Sequence, residues 1–338
     1  MQEIVENTGA PRKGTTAGKA NDLKLAQMIV RKALVCGFDN CGIIPVSALE
    51  GYAKRLTERR SQFPMAKPLF DNLEGFTKIS EAYPWAKSVV VCTLWYGKYR
   101  FPKPLRKRYA KAFMLSIDTV PGSLGFRLKQ EFEEWFHQMG IRFAGGMDKV
   151  PTKIIPLRHA AVEAGLGIFR RNNFFYGEHG SWYALEGYLI DKECELRQEC
   201  HLRPCSEKCP LCRNACRTKA LVAPYAMNPI SCISFLTTFG GGVVPPHLTE
   251  EQFGTWICGC DDCQDVCPYN RHDWDGGEPF PGLEEIVDTL APNAIIEATD
   301  EALRANVIPK TEFHIPPEDV GVLRLCAKRS LQNEPKDN

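Results

Sequence analysis

Hydrophobic residues in the first part of the chain recur at helical spacing from Leu23 to Leu34, and Gly37 interrupts the pattern. Residues 22–60 therefore predict a helix, a turn, a short strand and a second helix. Residues 124–140 carry an amphipathic helical pattern that stops at Gly140.

Two further segments have the composition of strands. Residues 87–97, KSVVVCTLWYG, form a continuous run rich in β-branched residues, which predicts a buried central strand. Residues 180–191, GSWYALEGYLID, predict another strand that leads into a cysteine-rich region. The pattern as a whole predicts a mixed α/β domain followed by a second, cysteine-rich domain.

Composition adds limits to this picture. The chain has 338 residues, 44% of them hydrophobic, which is enough for one large core or two modest ones. No apolar run approaches the ~20 residues of a membrane span, and the polar N-terminus has no signal-peptide pattern. We therefore expect a cytoplasmic protein that does not contact a membrane. With 42 basic and 41 acidic residues, no global charge attracts a polyanion.

Fifteen cysteines require an explanation, because a reducing cytoplasm favours metal ligation or redox chemistry over disulfides. Cys36, Cys41, Cys92 and Cys326 stand among apolar neighbours and are interpreted as small buried hydrophobic residues. The other eleven cysteines lie between residues 194 and 267.

Two runs of these cysteines stand out, a first run of Cys205, Cys209, Cys212 and Cys216 and a second run of Cys260, Cys263 and Cys267. Both are variants of the two-cluster ferredoxin pattern C-x2-C-x2-C-x3-C-P, whose fourth cysteine binds the other run's cluster. The second run lacks a first cysteine at the expected spacing, and Cys232 is the candidate that completes it. One predicted [4Fe-4S] cluster is held by Cys205, Cys209, Cys212 and Cys267, and the other by Cys216, Cys232, Cys260 and Cys263.

Zinc is the alternative occupant, since C-x2-C pairs also suit tetrahedral zinc. The x3-C end of both runs and the Cys267-Pro268 ending favour iron-sulfur clusters. Cys194, Cys200 and Cys258 are left over and are expected to be structural or alternative ligands. A pair of neighbouring clusters conducts electrons, so the α/β domain should hold the place where the electrons are used. No glycine-rich phosphate loop of the Rossmann or Walker type occurs in the sequence.

The order of several segments resembles the epoxyqueuosine reductases. The segments are AVEAGLGIFRRNN at 161–173, GSWYALEGYLID at 180–191, SCISFLTT at 231–238 and GCDDCQDVCPYNR at 259–271. The resemblance covers roughly residues 22–275 and is most specific at the last segment.

This resemblance implies an α+β fold, in which a nitroreductase-like α/β cobalamin-binding domain is followed by a bacterial two-cluster ferredoxin-like domain. It implies two [4Fe-4S] clusters that reduce a bound cobalamin. The implied corrin contacts are Ser181, Leu185, Tyr188, Thr237, Asp261 and Asp262. The alternative interpretation of each residue is a purely structural one, in which it packs in a strand or caps a turn.

The proton donor is where the sequence departs from the family. The family's donor is an aspartate upstream of AGLG, but a gapless alignment puts Pro151 at that position. A three-residue insertion brings Asp148 into register, so Asp148 is the first candidate for the donor and His159 the second. A solvated loop aspartate and a packed histidine are the corresponding structural interpretations.

The expected domain division is a disordered tail (1–21), the cobalamin-binding domain (22–191), the two-cluster domain (192–275) and a short helical extension (276–338). Family members that act on tRNA usually continue into a basic helical-repeat extension, whereas residues 283–305 here are acidic. The strongest basic segment is 100–113, RFPKPLRKRYAKAF, which could face nucleic acid, the corrinoid or water.

The leading functional hypothesis is a reductase of the epoxyqueuosine reductase type. Its partners would be tRNA or a small-molecule substrate and a low-potential electron donor such as ferredoxin or flavodoxin, and the chain would be a monomer. One alternative is a corrinoid and iron-sulfur reductase of a small molecule, similar to reductive dehalogenases. The other is a two-cluster electron-transfer protein without a corrinoid.

Overall fold

The computed structural model describes residues 16–115, 124–146, 154–280, 282–311 and 315–335. Its α-helices are α1 Thr16–Cys36, α2 Gly51–Gln62, α3 Lys67–Asp71, α4 Ile79–Ala82, α5 Lys111–Leu115, α6 Leu124–Gln138, α7 Leu157–Glu163, α8 Leu211–Ala215, α9 Ile233–Leu236, α10 Asp262–Asp265, α11 Pro292–Glu297, α12 Asp300–Ala302 and α13 Val320–Gln332. Its strands are β1 Asn40–Pro45, β2 Ser88–Trp95, β3 Tyr99–Arg100, β4 Phe143–Gly145, β5 Ile168–Phe169, β6 Phe175–Tyr176, β7 Tyr183–Ile190, β8 Leu221–Ala223, β9 Ala226–Met227 and β10 Glu278–Pro279.

The largest sheet has four antiparallel strands in the order β1-β2-β7-β4. The apolar run at 87–97 forms β2, an interior strand in which Val90 pairs with Ile43 of β1 and Tyr188 of β7. Seven of its eight residues are buried, because helices cover both faces of the sheet. The prediction of a buried central strand is confirmed.

One face of the sheet packs against α1 and α6. Leu128, Phe132 and Phe136 follow one another at four-residue spacing on α6, and all three are buried against this face. Gly140 then adopts a positive φ of 62°, and the chain leaves the helix there. The amphipathic pattern therefore predicted both the helix and its end.

The opposite face packs against α7 and the segment before it. Val89 and Val91 of β2 and Leu189 of β7 share a hydrophobic cluster with Leu157 and Ala161 of α7. Side chains alternate between the two faces along β7, so Leu189 and Tyr188 belong to different clusters.

The C-terminal segment shares its core with earlier parts of the chain. Leu303 and Leu323 lie in one hydrophobic cluster with Tyr109, Trp182 and Cys258. The predicted boundary at 275/276 therefore separates residues that pack into a common core. At the other end, α1 begins at Thr16, inside the segment expected to be a disordered tail.

The cysteine-rich segment has little regular structure apart from short helices. Cys232 caps the N-terminus of α9, Cys212 lies on α8 and Cys263 on α10. The loops between these helices are where most of the remaining cysteines lie. Among the described residues, no helix is both long enough and apolar enough to cross a membrane.

Candidate functional site

Four of the predicted ligands surround one cavity, here called the first-cluster cavity. It has a volume of about 130 Å³, and its cysteines are Cys205, Cys209, Cys212 and Cys267. Arg170 lies beside it, with Nη1 3.8 Å from the Sγ of Cys205 and its guanidinium 3.4 Å from the ring centre of Tyr269. An arginine at this distance favours a negatively charged thiolate-ligated group.

The other four predicted ligands surround a separate second-cluster cavity of about 240 Å³. Its cysteines are Cys216, Cys232, Cys260 and Cys263. Burial raises the pKa of Cys260 and of Cys263, and a bound metal centre would favour the thiolate form of both sulfurs. The donor sets of both cavities thus fit [4Fe-4S] clusters.

Asn172 connects the two cavities. It lines both, and its Nδ2 donates to the carbonyl oxygen of Cys263 at 3.2 Å and to the hydroxyl of Tyr176 at 2.8 Å. Cys267, from the second run, lines the first cavity, while Cys216, from the first run, lines the second. The cavities thus group the cysteines in the same crossed sets as the spacing does, and ligation of two clusters by these sets stays a prediction.

The three leftover cysteines line neither of these cavities. Cys258 is buried in the C-terminal core, and Cys194 is buried beside the hydroxyl of Ser88. Burial raises the pKa of Cys194 to about 11, as expected of an inert thiol. Cys200 is half-buried and lines a polar cavity with His201 and Glu199.

Asp261 and Asp262 bind basic side chains of the 100–113 segment. The Oδ2 of Asp261 accepts hydrogen bonds from the backbone N–H of Lys111 at 2.8 Å and from its Nζ at 3.1 Å. Asp262 pairs with Lys107 at 3.2 Å and with Arg217 at 3.1 Å. Burial alone would lower the pKa of Lys111, but Asp261 and Asp265 raise it.

The whole basic segment is neutralised within the molecule. Each of its lysines and arginines forms an ion pair: Arg100 with Glu284, Lys103 and Arg106 with Asp275, Lys107 with Asp262 and Asp265, Arg108 with Glu334, and Lys111 with Asp261 and Asp265. In the sequence, residues 100–113 were a candidate contact for nucleic acid. In the structure, their ion pairs join the cluster domain and the C-terminal segment to the α/β domain.

Ser181 and Thr237 are also held by protein partners. Ser181 Oγ donates to the side-chain oxygen of Gln264 at 2.7 Å and accepts from Asn270 Nδ2 at 2.8 Å. Thr237 is fully buried, and its hydroxyl donates to the Ile233 carbonyl and accepts from the Gly259 N–H. Both residues thus fix the loops that carry the cysteines.

Leu185 and Tyr188, the remaining predicted corrin contacts, point to opposite faces of β7. Tyr188 packs among Phe132, Phe136 and Phe143, while Leu185 lies on the α7 side. One planar ligand therefore cannot contact both. Their separation of three residues in a strand was a signal of this already available in the sequence.

Of the two candidate proton donors, Asp148 lies outside the described residues. His159 is buried on α7, and burial together with Arg55 and Arg59 lowers its pKa to about 4. Its imidazole is therefore neutral at pH 7. It lies beside Tyr52, with 5.8 Å between ring centres.

The open side of the second-cluster cavity is apolar, a feature that the sequence did not reveal. Phe113, Phe174, Phe235 and Phe239 line it, and Phe239 is 67% exposed. Phe113, Phe174 and Phe235 are partly buried, and together with the exposed Phe239 they form an apolar surface suited to a large flat ligand.

Comparisons with known proteins agree with this geometry. Residues 205–270 match the family model of the 4Fe-4S double cluster binding domain. An epoxyqueuosine reductase of Cellulophaga algicola is 28% identical over 301 residues, which cover 83% of this chain and 90% of that protein. The Escherichia coli epoxyqueuosine reductase is 35% identical over 140 residues, covering 40% of this chain but only 35% of that relative.

Solved structures show the same fold. A structure of Bacillus subtilis epoxyqueuosine reductase, with its catalytic loop swung out of the active site, aligns with a TM-score of 0.70 at 21% identity, covering 92% of this chain and 82% of that one. A structure of epoxyqueuosine reductase with a tRNA-Tyr epoxyqueuosine-modified tRNA stem loop aligns with a TM-score of 0.67 at 21% identity, covering 92% and 81%.

An α/β sheet domain joined to a double-cluster domain defines this chain as an iron-sulfur oxidoreductase. In sequence and in fold the chain is similar to the epoxyqueuosine reductases. The predicted fold class and the prediction of two [4Fe-4S] clusters are thereby confirmed.

Proposed function

We propose that this chain is a cobalamin-dependent reductase that removes the epoxide oxygen of epoxyqueuosine in tRNA. The observation that carries the proposal is the pair of four-cysteine cavities in a chain that aligns with 90% of a curated epoxyqueuosine reductase. The relative solved with an epoxyqueuosine-modified stem loop supports tRNA as the substrate, ahead of the small-molecule and electron-carrier alternatives.

The cavity walls suggest how the cofactors would be arranged. The eight cysteines would hold two [4Fe-4S] clusters, and the apolar side of the second-cluster cavity would hold the flat face of cobalamin. When bound, cobalamin supplies a low-valent cobalt that takes electrons from the clusters to the substrate. Ser181, Thr237 and Asp261 would support this arrangement by fixing the cysteine loops.

The chain must also supply a proton to the alkoxide left by the opened epoxide. Asp148 is the proposed donor and His159 the second candidate, which as a neutral imidazole would donate its ring N–H. We expect Asp148→Asn to retain iron and cobalamin while slowing turnover. An unchanged rate would exclude Asp148 as the donor.

Other partners belong to the same proposal. A low-potential ferredoxin or flavodoxin would reduce the clusters, the chain would act as a monomer, and a reducing cytoplasm would keep the free thiols competent to bind iron. Because residues 100–113 are internally paired, other basic residues would have to contact the tRNA.

The test is anaerobic reconstitution with iron, sulfide and cobalamin, followed by turnover of epoxyqueuosine-containing tRNA with a chemical reductant. The proposal predicts conversion to queuosine-containing tRNA that depends on added cobalamin. Cys258→Ala, which alters a buried cysteine away from both cavities, is the matched control for Cys232→Ala and should keep activity. Full iron content without uptake of a corrinoid would contradict the proposal.

A further inference from the structure

A cavity of about 200 Å³ lies between α2 and the start of α7, and none of the eight predicted cluster ligands lines it. Three arginines converge on it: Arg55 and Arg59 from α2, and Arg158 from α7. His159 and Phe169 also line this cavity. No aspartate or glutamate in the described ranges is part of this wall.

The three guanidinium groups make no ion pair within the described parts of the chain. Glu58 and Glu163 lie near enough to Arg55 to act on its pKa, but Glu163 is paired with Arg197 at 3.7 Å. Arg60, the next residue along α2, behaves in the opposite way and pairs with Asp71 at 2.9 Å and Glu74 at 2.6 Å. On α2, Arg60 therefore forms ion pairs with acidic residues, whereas Arg55 and Arg59 line the cavity without an ion pair in the described structure.

Two of the three arginines are held in place while most of their N–H groups stay available. Arg158 donates from Nη1 to the Asn173 carbonyl at 2.7 Å, which uses one of its five N–H donors. Arg55 stacks over the ring of Phe169, 4.5 Å from its centre, which fixes the plane of the guanidinium. Such a preorganised set of donors is suited to the oxygens of a phosphate or carboxylate.

This wall contains unfavourable interactions that a bound anion would relieve. Arg158 lines the cavity while remaining exposed to solvent, so its other N–H donors are accessible to an incoming anion. His159 is more than nine-tenths buried, and its Nε2 has no hydrogen-bond partner in the described structure. Converging cations and an unsatisfied ring nitrogen are costly in a free protein, and a bound oxyanion would offset both costs.

We propose that this chain binds an oxyanion, in the form of a phosphate or carboxylate group, between Arg55, Arg59 and Arg158. Arg158 also lines the second-cluster cavity, so the bound group would lie next to the proposed redox site. Two sources of this group fit the site: free phosphate, and the phosphate of a larger ligand that extends into the second-cluster cavity. The binding site itself does not depend on which redox substrate the chain uses.

The test is calorimetric titration of the cluster-loaded protein under anaerobic conditions, at fixed ionic strength in chloride. The probes are inorganic phosphate and a nucleoside 5′-monophosphate. Both should bind saturably, and a monophosphate that binds at least about tenfold tighter would identify the phosphate of a larger ligand as the source. Equal affinities would identify the free ion.

The variants separate this site from general electrostatic attraction. Arg59→Gln and Arg158→Gln should each weaken phosphate binding by about tenfold or more, because each removes charge-assisted hydrogen bonds. Arg60→Gln, the matched control on the same helix, should change the affinity less than about twofold. Equal weakening by Arg59→Gln and Arg60→Gln, or no saturable binding at millimolar phosphate, would overturn the proposal.

Thermal unfolding distinguishes a binding role from a structural one. In phosphate-free buffer, Arg59→Gln should not lower Tm, since it removes a repelling charge, and phosphate should raise the Tm of the unmodified chain more than that of Arg59→Gln. A lower Tm for Arg59→Gln in phosphate-free buffer, with the same response to phosphate as the unmodified chain, would assign Arg59 a structural role and contradict the proposal.

Discussion

Lys111 and Asp261 form a buried ion pair, with 3.1 Å between Nζ and Oδ2 and side chains only 5% and 1% exposed. Asp261 lies between Cys260 and Cys263 in the second cysteine run, whereas Lys111 begins α5 in the α/β part of the chain. The Nζ also lies 5.0 Å from the ring centres of Trp182 and Trp274. A well-desolvated cation therefore helps to position the second-cluster cavity.

Removing that cation should destabilise the protein strongly. Lys111→Met would leave the buried Asp261 carboxylate without its cation, and we expect a loss of about 3–5 kcal/mol in the free energy of unfolding. Anaerobic denaturant titration measures this loss. The control is Lys103→Met, because Lys103 is 75% exposed and its pair with Asp275 should be worth less than about 1 kcal/mol. Equal losses for the two variants would contradict the account of the buried pair.

The acid sensitivity of the fold should depend on His159. Its pKa is lowered from 6.5 to about 4 in the folded chain, by burial first and then by Arg55 and Arg59. The unfolded chain therefore binds more protons between these values, and stability falls as the pH drops from about 6.5 toward 4. Tyr52, the other titratable group on α2 facing the imidazole, stays neutral in this range because burial raises its pKa.

We expect the native chain to lose about 2 kcal/mol more unfolding free energy than His159→Gln between pH 7 and pH 5. Unfolding titrations at the two pH values measure the difference. His201→Gln replaces an exposed histidine and should behave like the native chain. An identical pH response of the native chain and His159→Gln would show that His159 is not buried in neutral form.

The basic segment at 100–113 should contribute little to RNA affinity. Arg106 is paired with Asp275 at 2.9 Å and also donates to the Phe101 carbonyl. We therefore expect Arg106→Gln to change the Kd for tRNA by less than about twofold, with at most about 1 kcal/mol lost in stability. A filter-binding series across salt concentrations tests this. A clear loss of affinity with a shallower salt dependence would show that Arg106 binds phosphate instead.

The sequence predicted the parts of this protein that local pattern and spacing control. Helical periodicity predicted α1 and α6, the β-branched run predicted β2, and cysteine spacing predicted which sulfurs share a cavity, including Cys232. The two helices and the strand are confirmed because each depends on residues close in sequence, while the ligand sets, which depend on a ligand number fixed by chemistry, stay a prediction that the cavity linings support.

The features that the sequence did not reveal depend on contacts between distant segments. Lys111 and Asp261 are 150 positions apart, so neither the charge run nor the acidic pair indicated that they neutralise each other. The convergence of Arg59 and Arg158 has the same origin. Leu185 and Tyr188 were different, since strand alternation alone would have placed them on opposite faces.

Crossed ligation of two clusters is the central claim, and iron content tests it most directly. Anaerobically purified native protein should contain about eight irons per chain. Cys205→Ala and Cys232→Ala should each lose one cluster and keep about four irons, because each alters a different cavity, while Cys258→Ala should keep all of them. Full iron content in either ligand variant, or zinc in place of iron in the native protein, would contradict the account.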